Sequence, residues 1–215
     1  MIDYNYFCAV SEINMILDTI NDIISKLNNE TFTACHGRYH TMAVVDIAEH
    51  ILTSLSCDSR TVELGKIAAL LHDIGNIAGR WNHARKSAVL AEVFLDNSNH
   101  LLPEEKAMII QAIDDHSTGT NISSVIGATL LIADKADISK RRILPVTPLD
   151  DWHKNLLEIE YVDICISDTA ILINHITTES FSKELCINGY KKGYGLQVKA
   201  SEYLNRTCHI QFNGV

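Results

Sequence analysis

The 215-residue sequence has little glycine and very little proline, with 10 and 3 residues respectively. Few turns are therefore obligatory, and the chain favours helices. It also lacks any run of about 18 apolar residues, the length that a membrane-spanning helix requires. The first ten residues contain Asp3 and no basic leader. Together these absences argue against a membrane protein and predict a cytoplasmic one.

Positive charge is also scarce, because 18 Lys and Arg against 27 Asp and Glu give a net charge of −9. This balance argues against a general nucleic-acid or anionic-membrane surface, so the expected partner is a small molecule. The six cysteines include no CxxC spacing and favour no particular pairing. Reduced, mostly buried thiols are therefore expected, with no disulfide framework.

Apolar residues recur at helical spacing through the first two-thirds of the chain, so residues 1–148 are predicted to form an all-helical domain. The predicted helices cover about 11–27, 40–55, 61–74, 83–95, 103–116 and 122–140. Pro103 suits the first residue of the fifth helix, since proline lacks the N–H that an initial helical residue leaves unpaired.

The pattern changes after Pro145 and Pro148, where alternation of apolar and polar residues replaces helical spacing. Residues 149–215 are predicted to form a small α+β appendage: a hairpin turning at Ser167-Asp168, a helix over about 179–204 that glycines interrupt or bend, and a closing strand over about 208–212. The fold class is therefore mainly α with a C-terminal α+β appendage. One face of its small sheet needs an apolar partner, so the appendage is expected to shape access to a site or to build a homodimer.

The most informative segment is His72-Asp73, at the end of an apolar helix. An imidazole and a carboxylate at a helix carboxyl end begin a transition-metal site, although a buried hydrogen-bonded pair explains them equally well. Further candidate ligands lie at predicted helix ends or on inward helix faces, namely His40, His83, His116 and Asp134. A structural role explains each of these residues taken singly, but it does not explain the ordered set.

The order His40, His72-Asp73, Asp134 resembles the signature of the HD superfamily of metal-dependent phosphohydrolases, an all-helical fold. His83 and His116 match the subgroup that holds two metals. The similarity is closer still to bacterial HD-type symmetrical diadenosine tetraphosphate hydrolases. It is carried by His40 with Val44 and Ala48, by Leu70–Asp73, by His83–Ala88, by Ala112–Gly119 and by Ala133–Asp137.

This resemblance implies a helical bundle in which His40, His72, Asp73 and Asp134 bind one ion, and Asp73 bridges to a second ion held by His83 and His116. The expected cofactor is thus two divalent transition ions, from iron, manganese, cobalt, nickel or zinc. With His72 and Asp73 as the catalytic pair, a metal-activated water would attack a phosphoester or phosphoanhydride of a nucleotide or dinucleoside polyphosphate. The alternative is a non-catalytic, metal-stabilised HD module that binds a nucleotide as a regulatory sensor. The six filled ligand positions favour the enzyme.

Cations near the ligand positions are candidates for binding substrate phosphates. Arg38, Lys135 and Lys140 are predicted to do so, whereas Lys86 and Arg142 are interpreted as solvated helix-face charges. His36 precedes its helix and forms no HExxH motif, so it is not predicted to be a ligand. The segment Gly189–Gly195 lacks the Gly-Lys-Ser/Thr of a phosphate loop and is interpreted as a hinge that would let the helix cover the cleft.

Overall fold

The computed structural model describes residues 7, 11–26, 35–144 and 149–214. Its N-terminal part is helical. The helices are α1 (Ser11–Lys26), α2 (Arg38–Ser54), α3 (Ser59–Leu71), α4 (His83–Asp96), α5 (Pro103–Asp115) and α6 (Val125–Ala136). Short 3-10 helices follow α3 at Ile74–Ala78 and α6 at Lys140–Arg142. The predicted mainly α fold is confirmed.

Helix α6 is the centre of this bundle. Every residue from Ile126 to Asp134 is buried, because α2, α3 and α5 all pack against it. Ser124 caps its start by accepting a hydrogen bond from the Gly127 N–H at 3.1 Å. The helix is shorter than predicted and ends at Ala136, since Asp137 has a non-helical backbone (ψ 73°). The Asp134 carboxylate, close to this end, therefore lies in the interior of the protein.

The C-terminal part contains the predicted α+β elements and one helix that was not predicted. They are α7 (Asp151–Leu157), β1 (Ile159–Ile166), β2 (Ala170–Thr177), α8 (Lys183–Gly189), α9 (Lys191–Tyr203) and β3 (Thr207–Phe212). The helix predicted over 179–204 is interrupted, as one of the two expected alternatives, and forms α8 and α9, separated at Tyr190. The sheet has the order β1-β2-β3, with β1 antiparallel and β3 parallel to β2.

The appendage shares a hydrophobic core with the helical bundle. Ile164, Ile171 and Ile173 from the sheet, and Leu196 and Ala200 from α9, belong to the same buried cluster as the residues of α2, α3 and α6. Helix α9 also packs directly on α6. The sheet therefore packs on helices of its own chain, one of the two partners, own chain or second subunit, that were expected for its apolar face. A domain boundary at residue 148 stays a prediction.

Two expectations from composition bear on the environment of the protein. In the described part of the chain, Cys35, Cys57, Cys165, Cys186 and Cys208 are free thiols, while Cys8 lies outside it. None of the helices described is both long enough and apolar enough to span a bilayer.

Candidate metal centre

Four histidines and two aspartates converge where several helix ends meet. His40 lies in the first turn of α2, His83 is the first residue of α4, and Asp134 lies in the last turn of α6. The other three follow helix ends directly: His72 and Asp73 come after α3, and His116 comes after α5. Five of these side chains are buried, and that of His83 is half-buried.

Local backbone contacts fix the ring orientation of three of these histidines. In each, the Nδ1 atom lies beside the backbone carbonyl three residues earlier. The distances are 2.7 Å from His72 to Ala69, 3.2 Å from His83 to Arg80, and 2.6 Å from His116 to Ile113. Because a carbonyl only accepts hydrogen bonds, Nδ1 must carry the proton, and the neutral ring presents a lone pair at Nε2.

His40 reaches the same state through a side chain. Its Nδ1 lies 2.7 Å from Asp137 Oδ2, so Nδ1–H donates to that carboxylate and Nε2 keeps its lone pair. As a result, acceptor atoms face each other in two pairs. His40 Nε2 is 3.3 Å from His72 Nε2, and His83 Nε2 is 3.2 Å from His116 Nε2. Two such lone pairs repel each other unless a cation or a proton lies between them.

The first pair is completed by carboxylate oxygens of Asp134 and Asp73. Asp134 Oδ1 lies 3.3 Å from His40 Nε2 and 3.9 Å from His72 Nε2. Asp73 Oδ2 lies 3.7 and 3.6 Å from the same two atoms. Metal–nitrogen bonds of about 2.1 Å place neighbouring ligand atoms about 3.0–3.4 Å apart, so a small adjustment would let all four contact one ion.

The second pair faces the other oxygen of Asp73. Asp73 Oδ1 is buried without a hydrogen-bond partner, and it lies 3.5 Å from His83 Nε2 and 3.6 Å from His116 Nε2. A buried carboxylate oxygen without a partner is costly, and a cation would satisfy it. The donor set therefore fits divalent metal, and the His/Asp clusters are able to hold it.

A glycine brings the ligand-bearing segments together. A Cβ on Gly75 would lie 2.4 Å from the Ser87 backbone nitrogen and 2.6 Å from the His83 carbonyl oxygen, so no larger residue fits there. The Gly75 N–H also donates to Ser87 Oγ at 2.9 Å. This close approach holds the segment after Asp73 against the start of α4, where His83 lies.

Burial and neighbouring charges set the protonation states that metal binding requires. Burial lowers the pKa of His72 and that of His83 to about 4, so both rings are neutral at pH 7. Burial opposes the ionisation of Asp73 and Asp134, but His72 beside Asp73 and Lys135 beside Asp134 outweigh it and hold both pKa values well below the ordinary range. The site thus offers neutral imidazoles at His72 and His83 and ionised carboxylates at Asp73 and Asp134. At His40, burial is outweighed by hydrogen bonds to Asp134 and Asp137, which raise the pKa, so a metal ion that binds there competes with a proton.

Three residues that the sequence did not assign to the site lie beside it, and two of them, Asp137 and His36, contact its ligands. Asp137 orients His40, and its position three residues after Asp134 was the available signal. His36 precedes α2 as predicted, yet its buried Nδ1 lies 2.7 Å from Asp73 Oδ2. The interpretation of Arg142 as a solvated charge is wrong. Its guanidinium is buried and donates to the carbonyls of Asp137, at 3.0 Å, and Cys35, at 3.2 Å.

A cleft of about 360 Å³ opens beside Asp73, His83 and Asp134. Lys135 lines it, as expected for a residue that contacts phosphate, and its Nζ lies 2.5 Å from Asp134 Oδ2. Three further cations line the same cleft, namely Arg80, Arg142 and Lys192.

Two of the predicted phosphate contacts are directed elsewhere. Arg38 Nε pairs with Asp18 Oδ1 on α1 at 2.7 Å, and Lys140 Nζ pairs with Glu160 Oε1 at 3.1 Å. Neither cation lines the cleft in the part of the chain that is described, because α1 and β1 supply carboxylates on the outer side of each residue. The structure therefore does not bring Arg38 or Lys140 to the metal centre.

Comparison with known proteins assigns the family. The HD domain model matches residues 37–148, just over half of the chain, and the protein therefore belongs to the HD domain family. Among solved structures, it is similar to a predicted HD superfamily hydrolase from an uncultured Thermotogales bacterium, with 26% sequence identity and a TM-score of 0.44. That match covers 58% of this chain and 67% of the other. No curated protein matches the sequence. Family membership and the His/Asp clusters support a metal-dependent phosphohydrolase.

Proposed function

We propose that this protein hydrolyses a phosphoester or phosphoanhydride bond in a nucleotide or dinucleoside polyphosphate, using two divalent transition ions. The observation that carries the proposal is the convergence of four Nε2 lone pairs in two pairs, one on each oxygen of Asp73. A carboxylate that presents one oxygen to each set is suited to bridge two ions. When bound, such ions supply a water of lowered pKa and neutralise charge on a phosphoryl group.

The residues of the chain itself provide the remaining requirements. Asp137 and the three backbone carbonyls hold the four imidazoles in the ligating tautomer, so little reorganisation is needed on binding. Arg80, Lys135, Arg142 and Lys192 line the adjoining cleft in an otherwise acidic protein. Cations at this position would bind and orient a phosphate group beside the ligands.

The size of the cleft supports a small molecule as the partner. Its volume of about 360 Å³ falls in the range of small-molecule sites, and the appendage forms part of its wall. A nucleotide that carries its own negative charge is the class that the four cations favour. Nucleic acid and membrane surfaces are not proposed as partners, and a homodimer stays a prediction.

Metal analysis of purified variants tests the first half of the proposal. We expect the wild type to bind up to two ions per chain, His116→Ala to bind about one, and Asp73→Ala to lose both, because Asp73 faces both histidine pairs. His209→Ala is the matched control, since His209 is exposed on β3. Equal metal content in Asp73→Ala and wild type would refute the assignment.

A substrate screen tests the second half. The metal-loaded wild type is assayed with nucleoside mono-, di- and triphosphates, dinucleoside polyphosphates, cyclic dinucleotides and a base-free aryl phosphodiester, with Asp73→Ala in parallel. Turnover of a nucleotide that is lost in Asp73→Ala supports the enzyme. Binding of nucleotide and metal without turnover of any compound would identify the regulatory sensor instead.

A further inference from the structure

One side of the cleft is built by the appendage, outside the region that matches the HD domain. Trp152 and Tyr190 lie there with their rings stacked, at a centroid separation of 5.9 Å and an interplanar angle of 15°. Both rings are only half-buried, and Lys192 beside them is exposed. We use the name aromatic wall for Trp152, Tyr190 and Lys192 together.

The glycines of the Gly189–Gly195 segment account for the placement of these rings. A Cβ on Gly189 would lie 2.5 Å from the Trp152 ring, and a Cβ on Gly193 would overlap the Tyr190 ring. The two rings therefore pack directly on backbone, and this fixes them at the cleft. The segment is a packing site for two aromatic side chains, which differs from its interpretation as a hinge.

Neighbouring rings restrict Tyr190 further. Tyr194 meets it edge to face at 5.2 Å, so Tyr190 contacts both Trp152 and Tyr194. Burial, together with the charge of Asp134, raises the pKa of Tyr190 and keeps the phenol protonated. The aromatic wall and the metal ligands Asp73, His83 and Asp134 line the same cleft.

The cleft consequently has two chemically distinct regions. The region beside Asp73 carries the metal ligands and also the cations Arg80 and Arg142. This combination suits a phosphate group. The region at the appendage carries two flat rings and one exposed cation. A ligand that matches both regions has an anionic end and a planar aromatic end, which is the chemistry of a nucleoside phosphate.

We infer that the aromatic wall is the base-recognition surface of the site, where the nucleobase of the substrate stacks on the Trp152–Tyr190 pair while Lys192 contacts its phosphates or sugar. The inference rests on the proposed function and assigns a specificity role to the appendage. Stacking of one base on an aromatic side chain contributes about 1–3 kcal/mol, and loss of the stack should therefore weaken binding about tenfold or more. The loss of the stack should not change the binding of phosphate ligands that have no base.

A pair of ligands, one with and one without an adenylyl group, provides the test. Binding of adenylyl imidodiphosphate and of imidodiphosphate to the manganese-loaded full chain is measured by calorimetry. For Tyr190→Leu we expect the Kd of adenylyl imidodiphosphate to rise about tenfold, with the Kd of imidodiphosphate unchanged. Tyr190→Phe keeps the ring and should bind adenylyl imidodiphosphate within about twofold of wild type.

The control is Tyr203→Leu, the same substitution in α9 at a tyrosine that is 43% exposed and does not line the cleft. It should leave both dissociation constants unchanged. Far-UV circular dichroism and metal content verify that Tyr190→Leu is folded. Trp152→Leu provides the second variant if Tyr190→Leu is not.

Several outcomes overturn the inference. Equal weakening of both ligands in the folded Tyr190→Leu variant, weakening of neither, or failure of the wild type to bind adenylyl imidodiphosphate would each do so. The fate of the proposed function is read separately from the substrate screen. If one of these outcomes is found, turnover of the base-free aryl phosphodiester that depends on Asp73 would still support the hydrolase. Only the base-recognition surface would then be rejected.

Discussion

At the scale of single residues, the metal centre depends on which ring nitrogen of each histidine carries its proton. His72, His83 and His116 donate Nδ1–H to a carbonyl three residues earlier, a contact that a local backbone turn creates. His40 instead depends on Asp137, which lies 97 residues later in the chain. This difference makes His40 the ligand whose orientation is most sensitive to a single distant side chain.

Replacing Asp137 should therefore weaken the first ion without removing a ligand. For Asp137→Ala we expect metal affinity to fall about 10–100-fold, because His40 loses the acceptor that fixes its tautomer. Competition with a chromogenic chelator measures the affinity. Asp163→Ala, at an exposed carboxylate on β1, is the control and should have no effect. An unchanged affinity in Asp137→Ala would show that His40 is oriented by other contacts.

His175 should make the stability of the appendage depend on pH. Burial lowers the pKa of His175 in the folded protein to about 4, below the ordinary value of 6.5. Between these two values the unfolded chain binds a proton at His175, whereas the folded protein does not. The stabilising effect of the neutral ring is complete above about pH 6.5 and is lost as pH falls from there toward 4. Wild type should lose up to about 1.4 kcal/mol more per pH unit than His175→Phe over this window.

Urea denaturation at pH 7 and pH 5, with chelator present in every sample, measures that difference. The chelator removes metal from all proteins, so the ligand histidines contribute equally to each. His209→Phe, at an exposed position on the same sheet, should follow wild type. If His175→Phe also follows wild type, the buried ring does not control this part of the pH dependence.

At the scale of elements, the centre is assembled by the carboxyl ends of α3 and α5 and by the tight contact of the 3-10 helix Ile74–Ala78 with α4. Helix carboxyl ends carry partial negative charge, which favours a cation between them. Gly75 sets the distance between the Asp73 segment and α4, because a Cβ there would overlap the backbone of His83 and Ser87. The position of His83 is therefore a property of element packing.

Gly75→Ala should disrupt the second ion in preference to the first. The added Cβ would force α4 away and withdraw His83, so metal content should fall from two ions toward one, with a loss of thermal stability. Gly195→Ala is the matched control, since a Cβ there meets open space within α9. That variant should keep both ions and gain up to about 1 kcal/mol in stability. Full metal content in Gly75→Ala would contradict this account of the packing.

At the scale of the whole molecule, one hydrophobic core crosses from the bundle into the appendage. Ile173 of β2 is fully buried in the same cluster as the residues of α3 and α6. Separate domains would unfold independently, whereas a shared core couples them. The appendage is thus expected to stabilise the metal-binding bundle as well as to form one side of its cleft.

Ile173→Ala should accordingly destabilise the entire chain. We expect a loss of about 2–5 kcal/mol, with the helical signal and the metal lost in one transition at a lower Tm. Circular dichroism and metal release followed during the same thermal scan measure this. Ile187→Ala, at a side chain of α8 that is 41% exposed, should have little effect. Two separate transitions in Ile173→Ala would show that the appendage unfolds independently of the bundle.

The sequence alone determined the mainly α class, the hairpin and the six proposed ligands, which the structure brings together. Periodic apolar residues fix helices locally, and isolated polar residues in apolar helices are costly enough to mark a site. The sequence also predicted phosphate contacts for Arg38, Lys135 and Lys140, and of these three Lys135 lines the cleft. The orientation of a Lys or Arg side chain depends on the carboxylates that lie near it in space. For residues 20 positions apart, as in Arg38–Asp18 and Lys140–Glu160, the sequence spacing does not predict these neighbours.

Only the tertiary structure decided the proton position on His40, the burial of Arg142 and His36, and the aromatic wall. Each of these depends on contacts between segments distant in the chain. Asp137 reaches His40 across 97 residues, and Arg142 reaches the Cys35 carbonyl across 107. Local propensity and periodicity act over a few turns of helix, so such contacts arise only when the whole core packs.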